Sequence, residues 1–329
     1  MDVPTSRRIV LLGKTGAGKS SLANNIFGEN LFTTNNSPNS EASKCQAETR
    51  SLNGRSLTLT DTPGFFDTKR SEEELMADIL RCITECSPGP HAFLIVLKVE
   101  KFTDQEQDIV TKMCQYFSEE AFRYTTVLFT HGDQLCEGQK IEEFVSHSEG
   151  LSDLVKKCGG RCHVVDNKYW KNNQQGEYRS NQFQVAELLK TIEKMTEANK
   201  GRCYTNEMLQ DVKREIQEEE ERMRSANMST GNMSLEEINS KAKNNVFGRL
   251  LIRLSGIAVG ALLGVFLGVI SARSSKREDL LLAAQSSGVE GLMAGFKAAG
   301  GAESPGKAME MAATAVLSQC GLLPHQNNN

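Results

Sequence analysis

Apolar residues over the first 200 positions fall into short runs that alternate with longer amphipathic stretches. Ile9 to Leu12 is such a run, closed by Gly13, and Lys19 to Phe27 then takes helical spacing, so the opening reads strand, glycine-rich turn, helix. Further strand-like runs lie at Leu57 to Thr60, Ala92 to Leu97, Thr125 to Thr130 and His163 to Val165. Between them, Glu72 to Cys86, Thr103 to Phe117 and Lys140 to Lys157 have the length and period of helices, and Gln182 to Asn199 reads as the last helix of the series. Strands alternating with helices predict an α/β fold, a mostly parallel sheet covered by helices on both faces, with ligands at the carboxyl ends of the strands.

Beyond residue 200 the pattern changes twice. Thr205 to Arg224 is strongly charged, with the run Glu218 to Glu221 and only Met208, Leu209, Val212 and Ile216 as apolar positions, and reads as a solvated or partner-binding helix. Ser225 to Ser234 is polar and reads as a linker. A different composition begins at Val246. Leu254 to Ala272 carries no charge over 19 positions, the minimum for crossing a hydrocarbon core about 30 Å thick. Gly256, Gly260, Gly264 and Gly268 recur every four residues within it, a small-residue face on which two helices approach closely in lipid. Two readings stay open, a self-associating membrane anchor and a buried helical hairpin. Basic residues on both sides, Arg249 and Arg253 before, Arg273, Lys276 and Arg277 after, leave the orientation undecided. The predicted division is a first domain over residues 1–200, a charged helix and linker over 201–245, and a glycine-rich helical membrane region over 246–329.

Composition narrows the classes of function. A chain of 329 residues exceeds one average domain, and a net charge of -4 argues against nucleic acid as a partner. The nine cysteines stand singly or at i, i+4 spacing without paired CxxC knuckles, and no secretory leader precedes the first strand, so reduced thiols in the cytosol are expected.

Chemistry enters at the strand ends. Gly13, Lys14, Thr15, Gly16, Ala17, Gly18, Lys19 and Ser20, followed by Ser21, fit G-x-x-x-x-G-K-[ST] between strand and helix. The glycines turn backbone N–H groups inward on phosphates, the helix amino end adds a favourable dipole, Lys19 reaches the β and γ phosphates, and Ser20 ligates Mg2+. Asp61, Thr62, Pro63 and Gly64 follow the next strand; Asp61 is the acidic partner of Mg2+, and the Gly64 N–H senses the γ-phosphate. Thr130, His131, Gly132 and Asp133 close the Thr125 to Thr130 strand, where Ras-like proteins carry Asn-Lys-x-Asp. There the aspartate accepts from guanine N1–H and the 2-amino group, a donor pair that adenine lacks. His131 would lie against the base, and Asn167 with Lys168 would complete the pocket on the O6 side. A plain Asx turn at His131 and Asp133 is the competing reading.

The set Gly13 to Ser20, Asp61-Thr62-Pro63-Gly64-Phe65-Phe66-Asp67, the box from Gly89 to Leu97 running into Phe102 and Thr103, and Thr130 to Asp133 resembles the immunity-associated GTPases, the GIMAP family with its AIG-type domain, over about Arg7 to Asn199. The resemblance implies a Ras-like P-loop domain that binds GTP or GDP and dimerises through its nucleotide face. Two departures matter. Ala42 stands where the family places a threonine that reaches Mg2+, with Ser40 and Ser43 nearby. Phe65 stands after Gly64 where small GTPases carry the glutamine that orients water, so slow hydrolysis is expected. The family box commonly has arginine at the place of Lys101, which is either a catalytic cation supplied across a dimer or a solvated loop charge.

The expected function is a slowly hydrolysing GTP switch that self-associates through its nucleotide face and its glycine-rich helix at the cytosolic face of an intracellular membrane, touching lipid. The alternatives are a non-hydrolysing GTP-bound membrane scaffold, a P-loop ATPase or nucleotide kinase, and a soluble cytosolic location.

Overall fold

Near-continuous apolar runs become central strands here because both faces of the sheet are covered. The computed structural model describes residues 6–34, 45–52, 54–62, 72–103, 106–107, 110–111, 113, 119–170, 177–227 and 233–252. The strands are β1 (Arg7–Leu12), β2 (Gln46–Leu52), β3 (Arg55–Asp61), β4 (Ala92–Lys98), β5 (Thr125–Thr130) and β6 (Cys162–Val164). They form one sheet in the order β2-β3-β1-β4-β5-β6. Every pairing is parallel except β2 with β3, where Gln46 faces Asp61 and Leu52 faces Arg55. The mostly parallel sheet is as expected; the antiparallel edge strand was not. Its sequence, Gln46 to Leu52, is mostly polar with no fully buried position, and Leu52 packs against the core, so it offers no apolar alternation to read.

The helices are α1 (Lys19–Phe27), α2 (Glu72–Cys86), α3 (Ile141–Ser146), α4 (Glu149–Lys157), α5 (Asn181–Ala198) and α6 (Glu207–Asn227). The single helix expected over Lys140 to Lys157 is two. The Ser148 hydroxyl accepts from the Leu151 N–H and starts α4 afresh, while the Phe144 and Val145 carbonyls close α3. Part of the expected Thr103 to Phe117 helix is described and is helical at residues 106–107, 110–111 and 113.

The chain divides into two units, Met1–Arg70 with Arg81–Glu215, and Ser71–Leu80 with Ile216–Asn329. In the first, Ile9, Leu11, Leu59, Leu94, Val96 and Leu128 on one sheet face pack with Leu22, Ala23 and Ile26 of α1 and Leu188, Ile192 and Met195 of α5. Phe93 meets Tyr204 edge-to-face at 5.5 Å between ring centroids, Tyr204 meets Tyr124 at 5.8 Å, and Phe129 meets Phe144 at 6.1 Å. The cysteines Cys158 and Cys162 are buried free thiols whose pKa values burial pushes up to about 12, the state of inert core residues.

In the second unit, Glu219 of α6 is 4% exposed and accepts from Arg222, from Asn245 Nδ2 at 2.8 Å and from Arg249 Nη1 at 3.0 Å. Burial opposes its ionisation, yet these donors bring its carboxyl down to about 2. Residues 235–252 are helical, with Ile238, Ala242, Val246 and Leu250 buried at four-residue spacing. The change of composition at Val246 therefore falls inside a helix. The sparse apolar positions of α6, Leu209 and Val212 in the first unit and Ile216 in the second, are buried, so that stripe of α6 is not solvated. No helix among the described residues is long and apolar enough to cross a membrane, and Leu254 to Ala272 lies outside them.

The start of the family-like box is structural. His91 is buried, its Nδ1 accepts from the Arg8 N–H at 3.1 Å, and Arg8 Nε donates to the Gly89 carbonyl at 2.8 Å. Burial, helped by the charges of Arg8 and Arg7, pushes its pKa down to about 4, and burial also lowers that of His163. Below an unfolded value near 6.5 the unfolded chain binds the proton more readily, so this stability is whole above pH 6.5 and is lost as pH falls toward 4. Thermal melting is expected to be flat from pH 8 to 7 and to fall by pH 4.5, His91 contributing on the order of 2 kcal/mol. His91→Asn, which keeps an acceptor for Arg8, should flatten the slope, and an unchanged slope would refute the assignment.

Candidate functional site

The site begins where β1 ends. α1 starts at Gly18, whose φ of 89° lies in the left-handed region, and no side chain caps it, so its first N–H groups are left for an outside acceptor. A side chain at Gly18 would be strained and would also strike Asn167 Nδ2, at 2.7 Å from an added Cβ. Gly16 likewise has a left-handed φ of 78°. Lys19 is 7% exposed, and its ammonium donates to the Gly13 and Lys14 carbonyls at 3.0 and 3.1 Å, which holds it along the inner side of the turn from Gly13 through Thr15, Ala17 and Ser20. Ser21 continues the first turn of α1.

Asp61, at the end of β3 next to β1, receives the Ser20 hydroxyl on Oδ2 at 2.5 Å. Its other oxygen, Oδ1, is buried with no hydrogen-bond partner among the described residues. Burial raises its pKa, against the opposing charge of Lys19 and the Ser20 hydroxyl. An orphaned carboxylate oxygen beside a serine hydroxyl is a hard-oxygen donor set, which fits Mg2+.

The second half of the site is made by the loops after β5 and β6. Thr130 ties them to the first: its buried hydroxyl donates to the Ala17 carbonyl at 2.8 Å. His131 takes a left-handed φ of 59°, its Nδ1 3.0 Å from the Thr130 hydroxyl, and a short 3-10 turn over Gly132–Gln134 follows. Asp133 is half-buried, and its carboxylate accepts from Gln134 Nε2 at 2.8 Å. Asn167 accepts from Asn25 Nδ2 of α1 at 2.8 Å and donates to the Gly18 carbonyl at 3.4 Å, so the β6 loop touches the phosphate turn directly. The Lys168 ammonium lies 4.8 Å from the ring centroid of Tyr169, an exposed side chain.

One organising residue went unread in the sequence. Asp166 is 2% exposed and accepts backbone N–H groups from both base-side loops: Lys168 at 2.8 Å, Tyr169, and Asp133 at 3.4 Å. Asn181 clamps its backbone, accepting from the Asp166 N–H at 3.0 Å and donating to its carbonyl at 2.6 Å. Burial works against the charge, but the donors hold the carboxyl below the usual carboxylate range. The available signal was an acidic residue directly after an apolar strand.

The Lys14 side chain pairs with Glu100 at 2.9 Å and with Glu106 at 2.6 Å. Glu106 is 4% exposed and makes the carboxylate half of a capping box with Thr103, accepting from its N–H at 3.0 Å and from its hydroxyl. Thr103-x-x-Glu106 was readable as that box. Lys101, two residues before it, is exposed. Gly64, Phe65, Ala42, Ser40 and Ser43 lie outside the described residues.

The model of the AIG1 family matches residues 7–225. Immune-associated nucleotide-binding protein 9 of Arabidopsis thaliana is 29% identical over 213 residues, 64% of this chain and 60% of that protein. GTPase IMAP family member 8 of Homo sapiens is 30% identical over 199 residues, 60% of this chain and 29% of that protein. The chain thus spans less than two thirds of the length of either. Among solved structures, Toc33 from Arabidopsis thaliana in complex with GDP and Mg2+ aligns with a TM-score of 0.47 and 20% identity, over 58% of this chain and 84% of that one.

Asp166→Ala leaves three loop N–H groups without their acceptor. Stability should fall by about 2 kcal/mol, and hydrogen exchange at Asp133, Lys168 and Tyr169 should quicken at least about tenfold while the Ile9 to Leu12 amides stay protected. Wild-type exchange at all three loop positions would show that Asp166 does not organise them.

Proposed function

The chain belongs to the AIG1 family, and from that premise we propose that it binds GTP and GDP with Mg2+, hydrolyses GTP slowly, and uses the bound nucleotide to control its self-association at the cytosolic face of an intracellular membrane. The observation that carries the reading is the buried Asp61 oxygen that has no partner among the described residues, beside Ser20, at the start of α1, where no side chain caps the helix, and next to the Lys19 ammonium. That arrangement fits an anion with its counter-cation.

Each residue has a task. The backbone amides from Gly16 to Ser20 and the Lys19 ammonium hold the β and γ phosphates. The Ser20 hydroxyl and the Asp61 carboxylate would hold Mg2+, which would supply positive charge against the phosphates. Asp133 accepts from guanine N1–H and the 2-amino group, with His131 along the ring and Asn167 and Lys168 toward O6. In hydrolysis a water oxygen bonds to the γ phosphorus as the bond to the β–γ bridging oxygen breaks, leaving GDP and inorganic phosphate that carries the water proton. Phe65 has no polar atom to orient that water, which makes the isolated reaction slow. Lys101 of a second copy supplies positive charge to the transition state; as a point charge it does so less well than a forked guanidinium. Phe65 also favours a second reading, a scaffold that keeps GTP bound and acts by assembly. The membrane part of the proposal rests on the uncharged Leu254 to Ala272 stretch and its four-residue glycine spacing.

GTP should bind with excess ATP failing to compete, and Asp133→Asn should weaken it about 100-fold or more. Equal competition by ATP, with Asp133→Asn inert, would replace the guanine reading with an ATPase or nucleotide kinase.

Single-turnover hydrolysis should speed up as protein concentration rises, and Lys101→Ala should abolish that rise. A rate independent of concentration points to the scaffold instead.

After carbonate washing the full chain should pellet with membranes, whereas a chain ending at Ile252 should stay in the supernatant. That end point keeps Val246, Arg249 and Leu250, which the second unit buries or pairs with Glu219. Full-length protein in the supernatant would remove the membrane claim and leave the nucleotide claim standing.

A further inference from the structure

The sequence Thr130-His131-Gly132-Asp133 carries a glycine at the position that the Asn-Lys-x-Asp pattern leaves open, and the structure gives a reason. A Cβ added to Gly132 would lie 2.5 Å from Cη2, 2.7 Å from Cζ2 and 2.9 Å from Cζ3 of Trp170, closer than real Cβ contacts come. Gly132 does not have a left-handed φ, so its backbone would accept an ordinary residue. What excludes a side chain is the outer edge of the indole, seated on the Gly132 Cα.

That ring is 4% exposed. The guanidinium carbon of Arg179 stands 5.9 Å from its centroid, and Arg179 Nη2 donates to the Leu135 carbonyl at 3.0 Å and to that of Cys136. The loop is therefore held on both sides of Asp133: Trp170 lies under Gly132, and Arg179 grips the two carbonyls that follow. The Gly132 N–H adds a bond to the Val165 carbonyl at 3.1 Å. Side chains packed this closely set a position to a few tenths of an ångström, because moving the loop either overlaps the ring or opens a void beneath it.

We propose that Trp170 is a positioning residue for guanine recognition: its indole fixes how far the Asp133 carboxylate reaches toward the base, with Gly132 as its matched partner. The inference rests on the reading of Asp133 as the guanine acceptor. It predicts a size match between Gly132 and Trp170 that shows up in base selectivity, beyond any effect on folding.

The test compares affinities for GTP and for ITP, which lacks the 2-amino group and so half of the donor pair that Asp133 would accept. Wild type should prefer GTP. Gly132→Ala should cut that preference at least about tenfold, the scale of an overpacked contact. Trp170→Phe, which removes the outer ring atoms, should cut it about threefold or less. Combined, the two should come closer to wild type than Gly132→Ala alone, since the smaller ring makes room for the methyl. An unchanged preference in Gly132→Ala, or a double variant no better than the single, would overturn the proposal.

Trp170 is also the chain's single tryptophan, so its fluorescence reports on this contact in the unmodified protein. GDP should shift the emission while pyrophosphate, which fills only the phosphate turn, should not. Should Gly132→Ala fail to fold, this decides alone, and an emission unmoved by GDP would sink the idea. Equal wild-type binding of GTP and ITP, untouched by Asp133→Asn, would instead take down the guanine reading and this inference with it.

Discussion

Two opposite charges, the Lys19 ammonium and the Asp61 carboxylate, sit nine-tenths or more buried at the carboxyl end of a parallel sheet, and the organisation of the site follows from how they are held. Removing such groups from water is costly unless hydrogen bonds and opposite charge compensate. For Lys19 the compensation is local, two carbonyls of the turn that wraps it. For Asp61 it is incomplete. One oxygen has Ser20; the other has no partner among the described residues; and burial outweighs both the serine and the lysine in raising the pKa. Among the described residues, the Asp61 carboxylate is thus the less compensated of the two charges. A cation held there in the folded state and not by the unfolded chain would stabilise the fold by mass action.

The rest of the first unit is arranged to keep that end open. Strands β1, β3, β4 and β5 are covered on both faces by aliphatic and aromatic side chains, so the sheet is rigid and its carboxyl edge is where polar groups converge. The phosphate turn leaves β1, Asp61 ends β3, and the base-side loops leave β5 and β6. Thr130 and Asn167 then join the two halves through the carbonyls of Ala17 and Gly18. Four separate stretches of chain meet at one edge of the sheet because the parallel register delivers their ends to the same side.

Legibility in the sequence divides along the same line. The bounds of α1 could be read to the residue, and β1 to within two residues at its start, because an apolar run, a glycine turn and a helical period stand in immediate succession. Asp61 was readable as the first acid after an apolar strand. The base-side support was not. Asp166 and Asn181 meet across 15 positions, and Trp170 meets Gly132 across 38, with no period or spacing to announce either pair. β2 escaped because an edge strand of mostly polar residues, none fully buried, has no apolar alternation to detect, and the break between α3 and α4 turned on a single serine hydroxyl within a continuous amphipathic pattern. What periodicity encodes is which face is buried; what it leaves out is which polar group answers another across the fold.

The glycine turn and the segment bearing Lys101 are joined by a contact that neither pattern foretold. Lys19 donates to the Lys14 carbonyl, the Lys14 ammonium reaches Glu106, and Glu106 caps Thr103, two residues past Lys101. Because the Glu106 side chain is almost wholly buried, a shift of the turn that withdrew Lys14 would strand a carboxylate without its counter-charge. Exposed Glu100, on the same ammonium, adds little by comparison, since water and salt screen it. The turn and the cap therefore move together or pay a desolvation penalty. That mechanical linkage is present whether or not Lys101 ever meets a second copy of the chain, and it would let the occupant of the phosphate turn be felt at the surface loop that follows β4.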